Sequence, residues 1–275
     1  MKIVLDCANG AGYKAGPSIF TELGAKVIPF GISPNGLNVN RNCGSTFPEL
    51  MQKAVLKHKA DIGIAFDGDA DRVIICDEKG SLVDGDQILA LIAKRWKDKK
   101  ILRGGVIATH MSNIGLENFL KKNHINFIRT KVGDRYVKEK MKVTSYNLGG
   151  EQSGHILFLD DSTTGDGIMS ALQVLALMAR SGKQLSDLRD GFERFPQVTV
   201  NIAVSEKRPL EELPSFLSAV RDVEEELADA GRVLVRYSGT ELKARVMVEG
   251  RDEKRVQMLA DGLAKTLEQA LDGLG

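Results

Sequence analysis

Residues 67–72 read DGDADR, set between DIGIAF at 61–66 and VIICD at 73–77. The flanks are apolar runs rich in β-branched residues, the pattern of buried strands. The acidic cluster therefore lies at the end of a sheet strand and not on a helix, which is where open α/β sheets keep their ligands. Asp67, Asp69 and Asp71 put three negative charges in a segment too short to neutralise them, so a positive partner is required. A hard divalent cation such as Mg2+ takes carboxylate oxygens and leaves positions for phosphate or water. The stretch reads as a Mg2+ site that works with a phosphorylated partner. Two other readings compete. From Asp67 to Glu78 the spacing imitates a calcium EF-hand, but the sixth place, which needs glycine, holds Arg72, and the flanks are strands where an EF-hand needs helices. A solvated acidic turn between strands accounts for two acids more readily than for three.

Working outward, Lys2–Asp6 reads as a buried strand, followed by a turn from Asn9 and an amphipathic helix ending near Leu23 and Gly24. Gly10, Gly12 and Ala15 satisfy a loose dinucleotide fingerprint. The acid that such a site wants about twenty residues later is missing, since none lies between Glu22 and Glu49. A tight βα turn is the plainer reading. A strand at 25–30, a Gly- and Asn-rich loop at 32–46, a helix at 47–59 and a strand at 61–65 complete a βαβαβ module. A second module starts near Leu82. Asp84, Gly85 and Asp86 precede a helix at 87–96, then come a strand at 105–109, a helix at 115–123 and a strand at 126–130. TKVGDRYV at 130–137 follows, with Lys131, Asp134 and Arg135 at a strand end or helix start suited to a phosphate or sugar. In GGEQSGHILF, Glu151, Ser153 and His155 alternate along a segment read as extended, so they are expected to share one face that suits sugar hydroxyls. Helices at 165–179 and 185–192 close this module. Beyond Phe195 and Pro196 the order is βαββα, a smaller α+β layer. Its RYSGTE loop offers Ser238, Gly239 and Thr240 between Arg236 and Arg245, a phosphate cradle with fork-shaped charge. A plain Ser-Gly corner is the competing reading.

The 275 residues carry 38 Lys plus Arg against 37 Asp plus Glu. Such a balance provides no general field for nucleic acid or an anionic membrane. Cys7, Cys43 and Cys76 form neither a metal spacing nor a disulfide framework, which fits a reducing cytoplasm. No signal-peptide layout opens the chain, and its most apolar helical run, 168–179, is too short for a bilayer. A soluble cytoplasmic protein is expected.

DGDADR, GEQSGH and RYSGTE, in that order and at these spacings, resemble the phosphohexomutase superfamily. DCANGAGY, TKVGDRYV and Gln152 are most similar to its bacterial phosphoglucosamine mutases. The resemblance covers the whole chain. It implies two successive α/β modules with mixed sheets, at 1–81 and 82–194, plus a C-terminal α+β domain at 195–275, being domains two to four of a four-domain enzyme. The implied reaction interconverts glucosamine-6-phosphate and glucosamine-1-phosphate through a phosphoserine and a 1,6-bisphosphate. It further implies that Asp67, Asp69 and Asp71 bind Mg2+ and that Arg72 sits near the transferring phosphate. Glu151 and Ser153 would hold sugar hydroxyls, with His155 on the same loop. Arg236, Ser238, Gly239 and Thr240 would grip the phosphate that is not reacting, with Arg245 as a further candidate. Lys131 would approach the reacting end, and the general acid or base would come from Lys131, Asp134 or Arg135. One departure matters: the superfamily's phosphoserine precedes a histidine, and no Ser-His pair occurs in these 275 residues. The chain is therefore expected to lack the first domain and to be inactive alone. Its partners would be a hexosamine phosphate and that missing domain. The rivals are a non-catalytic phosphosugar-binding module and a mutase for glucose or mannose phosphates.

Overall fold

The computed structural model describes residues 1–239 and 241–272. The first module runs β1 (Lys2–Asp6), a 3-10 turn (Ala11–Tyr13), α1 (Ala15–Glu22), β2 (Lys26–Phe30), α2 (Glu49–His58), β3 (Ile62–Phe66), β4 (Val73–Asp77) and a short β5 (Leu82–Val83). The sheet order is β2-β1-β3-β4-β5. β1 is parallel to β2 and β3, while β3–β4 and β4–β5 are antiparallel, so the sheet is mixed. Every residue of β3 is buried because both faces of the sheet are covered. Met51, Ala54 and Val55 of α2 pack with Val4 and Ala65 on one face. Leu5, Ile62, Ile64 and Phe66 point into the larger core on the other face.

The second module contains α3 (Gly85–Asp98), β6 (Gly105–Thr109), α4 (Ile114–Lys122), β7 (Asn126–Thr130), α5 (Asp134–Thr144), β8 (Leu148–Gly150), β9 (Ile156–Phe158), α6 (Gly167–Ser181) and α7 (Leu185–Leu188). Its sheet, β7-β6-β8-β9, is parallel except for the antiparallel β8–β9 pair. Residues of α3 and α6 share one core with β1, β3 and β4, so the first two modules are built around common apolar side chains. α3 starts at a capping box, in which the Gln87 backbone N–H donates to Asp84 and the Asp84 N–H donates to Gln87 Oε1. One element settles an open reading in favour of a helix start, and another differs from expectation. α5 extends eleven residues beyond Gly133, with Val137 and Met141 one turn apart as its buried stripe. The helix expected at 185–192 stops at Leu188.

The third module is β10 (Gln197–Ala203), α8 (Pro214–Leu227), β11 (Arg232–Tyr237), β12 (Lys243–Glu249) and α9 (Glu253–Asp272). All pairs in its β10-β12-β11 sheet are antiparallel. Ile202, Phe216, Val246, Val248, Leu263 and Leu267 are among the buried residues of its separate core. α8 begins at Pro214, whose fixed φ suits a first helical turn, and a 3-10 turn at Leu210–Glu212 precedes it. By compactness the chain divides into one unit of residues 1–112 and 116–192 and another of 113–115 and 193–275. Among the described residues no helix is long and apolar enough to cross a membrane.

The three cysteines are free and buried. Burial, with a smaller contribution from Asp6 or Asp77, pushes the Cys7 and Cys76 thiols up to about 12. Ellman's reagent at pH 8 is therefore expected to label the native chain far more slowly than the denatured chain. A thiol whose folded pKa is raised contributes stability that is full below its unfolded value of 9.0 and is lost as pH rises towards 12. Melting curves from pH 8 to 11 should show that decline, and Cys76→Ala should flatten it.

Candidate functional site

The acidic turn joins β3 to β4, and its geometry follows from that hairpin. Asp67 is 1% exposed. Its Oδ1 accepts the Arg72 backbone N–H at 3.1 Å, and its Oδ2 accepts Arg72 Nε at 2.6 Å. Asp69 is exposed and Asp71 half-buried, and each of the three aspartates offers a carboxylate oxygen within 4.8 Å of the others. Asp71 Oδ1 is buried without a hydrogen-bond donor, with Arg72 Nε at 3.5 Å as its ion-pair contact. Burial alone would lower the Arg72 pKa, but Asp67, then Asp71 and Asp69, together raise it above its ordinary value. One guanidinium against three carboxylates leaves a net negative site of hard oxygen donors. That donor set and the orphaned oxygen fit a Mg2+-type cation.

Neighbouring backbone holds the turn in place. Ala70 adopts φ 61°, a strained value for a residue with a side chain. Its N–H donates to the Asp67 carbonyl at 3.2 Å, and its own carbonyl accepts the Gly167 N–H at 2.9 Å. From the β1 side the Ala11 N–H donates to the Gly68 carbonyl at 2.8 Å. The glycines of the loose fingerprint thus serve a close approach of two loops.

The GEQSGH segment corrects one expectation. Gly150 pairs with Ile156 across the β8–β9 hairpin, so residues 151–155 form its turn and are not extended. The Glu151 N–H donates to the His155 carbonyl at 2.9 Å, and Gly154 closes the turn at φ 94°, where glycine is unhindered. Alternation along a strand therefore does not apply: the Glu151 and Ser153 side chains stay together, while His155 turns towards the acidic turn. Glu151 Oε1 accepts the Gly133 N–H at 2.9 Å, tying this turn to the start of α5, and Ser153 Oγ lies 3.5 Å from Glu151 Oε2. His155, only 5% exposed, turns inward and places Nδ1 3.0 Å from Asp71 Oδ2. The backbone joins the same way: Arg72 and His155 form a β-bridge, and the Val73 N–H donates to the Gly154 carbonyl at 3.1 Å.

Lys131 is exposed at the end of β7, its ammonium 6.0 Å from the Tyr136 ring centre. Asp134 Oδ2 stands 4.0 Å from His155 Nε2. Arg135 bonds Glu139 one turn along α5 at 2.8 Å, and that partner raises its pKa. Of these three neighbours, Lys131 alone has no oppositely charged partner among the described residues.

The remaining expected residues lie in the second unit, on the β11–β12 hairpin. Arg236 and Arg245 face each other across the ladder. Burial, then the charge of Arg245, lowers the Arg236 pKa, and no carboxylate pairs with Arg236 among the described residues. Arg245 Nε is buried without a hydrogen-bond acceptor, while its Nη2 is 3.5 Å from Glu241. Two facing guanidinium groups with unused donors suit an anion. Ser238 is buried, and its hydroxyl accepts the Glu241 N–H at 3.3 Å, so it shapes the turn. Gly239 is exposed with open space around it. Thr240 lies outside the described residues. Lys207, which no local sequence signal singles out because its partner is thirty-one residues away, reaches the Ser238 carbonyl at 2.6 Å.

Residues 1–80 match "Phosphoglucomutase/phosphomannomutase, alpha/beta/alpha domain II", 84–195 match domain III, and 200–266 match the C-terminal domain. The chain is 52% identical over 276 residues to a phosphoglucosamine mutase of Myxococcus xanthus, covering 98% of this chain and 59% of that protein. It is 54% identical over 273 residues to one of Chlamydia abortus, covering 99% and 59%. It thus spans about three-fifths of the length of these relatives. The fold is also that of a phosphoglucomutase/phosphomannomutase family protein of Burkholderia thailandensis, with TM-score 0.80, 21% identity, and 98% and 60% coverage. An Aspergillus fumigatus N-acetylphosphoglucosamine mutase, solved with GlcNAc-6P and magnesium, superposes with TM-score 0.77 at 22% identity, covering 97% and 65%. Three successive domain matches running almost end to end, in the order in which the acidic turn, the GEQSGH hairpin and the RYSGTE loop occur, make this chain a member of the phosphohexomutase superfamily.

Proposed function

We propose that this chain carries the metal-, sugar- and phosphate-binding modules of a phosphoglucosamine mutase. The observation that carries the reading is the union of the acidic turn with the GEQSGH hairpin through His155 and Asp71, in a chain over half identical to phosphoglucosamine mutases. Asp67, Asp69 and Asp71 would hold Mg2+, which when bound neutralises charge on a phosphoryl group. Arg72 then offers its remaining guanidinium donors to the transferring phosphate. Glu151, fixed by the Gly133 N–H, and the exposed Ser153 hydroxyl are placed to accept and donate to sugar hydroxyls. Arg236 and Arg245 would hold the phosphate that is not reacting, with Ser238 shaping the turn and Gly239 and Thr240 as further candidates. Lys131, with no carboxylate partner among the described residues, is assigned to the reacting end.

A phosphoserine donor in the superfamily's Ser-His context is not among these residues. The chain alone is therefore expected to convert no glucosamine-6-phosphate to glucosamine-1-phosphate above background in a coupled assay with Mg2+ and glucose-1,6-bisphosphate. It should nevertheless bind glucosamine-6-phosphate more tightly than glucose-6-phosphate by calorimetry. Turnover by the chain alone would overturn the inactivity, and equal affinities would overturn the amino-sugar assignment.

A further inference from the structure

We propose that a cleft between α3 and α6 is a second ligand site, one that takes a nucleoside diphosphate and shares no residue with the acidic turn, the GEQSGH hairpin or the RYSGTE loop. It holds about 580 Å3 and lies wholly within the first compact unit. Small-molecule sites ordinarily measure about 300–1,000 Å3. The lining divides into a charged part and an apolar part. Arg95 and Lys99, one turn apart at the end of α3, and Arg180, in the last turn of α6, supply three cations against one carboxylate, Asp161. None of these four has an ion-pair partner among the described residues. A helix end favours a cation, but like charges one turn apart repel each other, and here a third joins them from another helix. Two positive charges stay uncompensated, which suits an anion carrying more than one negative charge.

The apolar part comes mainly from α6. Met169, Leu172, Ala176 and Leu177 stand at i, i+3, i+7 and i+8, so they form one stripe about 12 Å long, and all four are only half-buried. Gln173 adds a single amide to the same lining. Trp96 lines the cleft from α3 and is 6% exposed, its ring packed on Phe158 with centroids 5.6 Å apart. Its indole N–H has no acceptor among the described residues, whereas a buried indole ordinarily finds one. An apolar surface carrying one amide and one free N–H suits a nucleobase, and the guanidinium groups suit its phosphates. A fatty carboxylate would use the apolar stripe and leave most of the charge unmet. Pyrophosphate would use the charge and leave the stripe bare. α6 also reaches the acidic turn, because the Gly167 N–H at its start donates to the Ala70 carbonyl at 2.9 Å. A nucleotide in the cleft would rest on the helix that braces that turn.

Trp96 is the chain's single tryptophan, so its fluorescence reports on this cleft directly. The unsubstituted chain, kept metal-free with EDTA, is titrated with ADP, GDP, CDP and UDP in turn, and with pyrophosphate and octanoate as partial mimics. At least one nucleoside diphosphate should change the Trp96 emission saturably, with half the effect below ~1 mM. Pyrophosphate and octanoate should each be weaker by about tenfold or more. The double variant Arg95→Ala/Arg180→Ala should weaken the nucleotide by at least about tenfold, since it removes charged donors. Lys254→Ala, at an exposed position of α9 in the other unit, should leave the titration unchanged and so controls for general charge. The arms on the unsubstituted chain need no variant to fold. No saturable response to any of the four nucleotides up to about 5 mM would overturn the proposal. Pyrophosphate binding as tightly as the nucleotides would reduce the site to an anion patch, and tighter octanoate binding would make it a site for apolar carboxylates. Parental nucleotide affinity in the double variant would place the ligand elsewhere, and each of these outcomes counts against the assignment.

Discussion

Replacing Gly10 by alanine is expected to destabilise the chain by ~3 kcal/mol and to abolish measurable Mn2+ binding. A Cβ built on Gly10 overlaps the Gly68 carbonyl oxygen and stands 2.7 Å from both the carbon and Cα of Gly68. All three atoms are backbone, so no rotamer change relieves the contact. Relief requires the β1 turn and the acidic turn to separate, which breaks the hydrogen bond from the Ala11 N–H to the Gly68 carbonyl. Overpacking ordinarily costs about 1–3 kcal/mol, and a clash with fixed backbone belongs at the upper end of that range. Gly262→Ala is the matched control: Gly262 lies in α9 with open space around it, where alanine should gain about 0.5–1 kcal/mol. Thermal melts and Mn2+ titrations of both variants check the contrast. A Gly10→Ala chain that melts and binds like the parent would show that the two turns are not tightly apposed.

The second large effect is expected at Asp67. If the proposed ligand set holds, Asp67→Ala should weaken Mn2+ by at least about 100-fold, more than loss of an outer partner, because it would remove a direct ligand. It should also cost stability, since the buried carboxylate satisfies both the backbone N–H and the Nε of Arg72. Arg72 is 42% exposed, so its freed charge can be hydrated. The penalty is then ~1–3 kcal/mol, not the larger cost of stranding a buried ion. Asp69→Ala separates the two roles. Asp69 is exposed, so its loss should weaken Mn2+ while moving stability by no more than about 0.5 kcal/mol. Identical melting curves for Asp67→Ala and the unsubstituted chain would remove Asp67 as a prop of the turn. Unchanged Mn2+ affinity in Asp69→Ala would remove Asp69 from the ligand set.

Much of this was legible in the sequence because the signals are local. The apolar run at 61–66 and the β-branched run at 73–77 mark β3 and β4, and the intervening acids mark the turn between them. The order βαββα in the last module follows from hydrophobic period alone. What was not legible depends on partners remote in the chain. TKVGDRYV offers a helix start as one of two readings, but the extent of α5 is not legible, because its buried stripe is only Val137 and Met141 in a segment rich in charge. At 151–155 the alternating polar residues mimic a strand, whereas the chain turns there. The deciding element is the positive φ of Gly154, beside which the Val73 carbonyl leaves no room for a side chain. His155 was placed against the sugar for the same reason. Only the pairing of residue 155 with residue 72, from another module, shows that it faces Asp71.

Phe66 pairs with Val73 at the mouth of the β3–β4 hairpin, so the ends of the acidic turn are already joined by a formed ladder. The chain entropy of closing that loop is spent during folding, together with the burial of β3, and does not fall on the cation. Ion capture at residues 67–71, as proposed, would thus be a desolvation event on a finished scaffold. It should exchange hydration water for carboxylate oxygens and leave amide protection along β3 and β4 as it was.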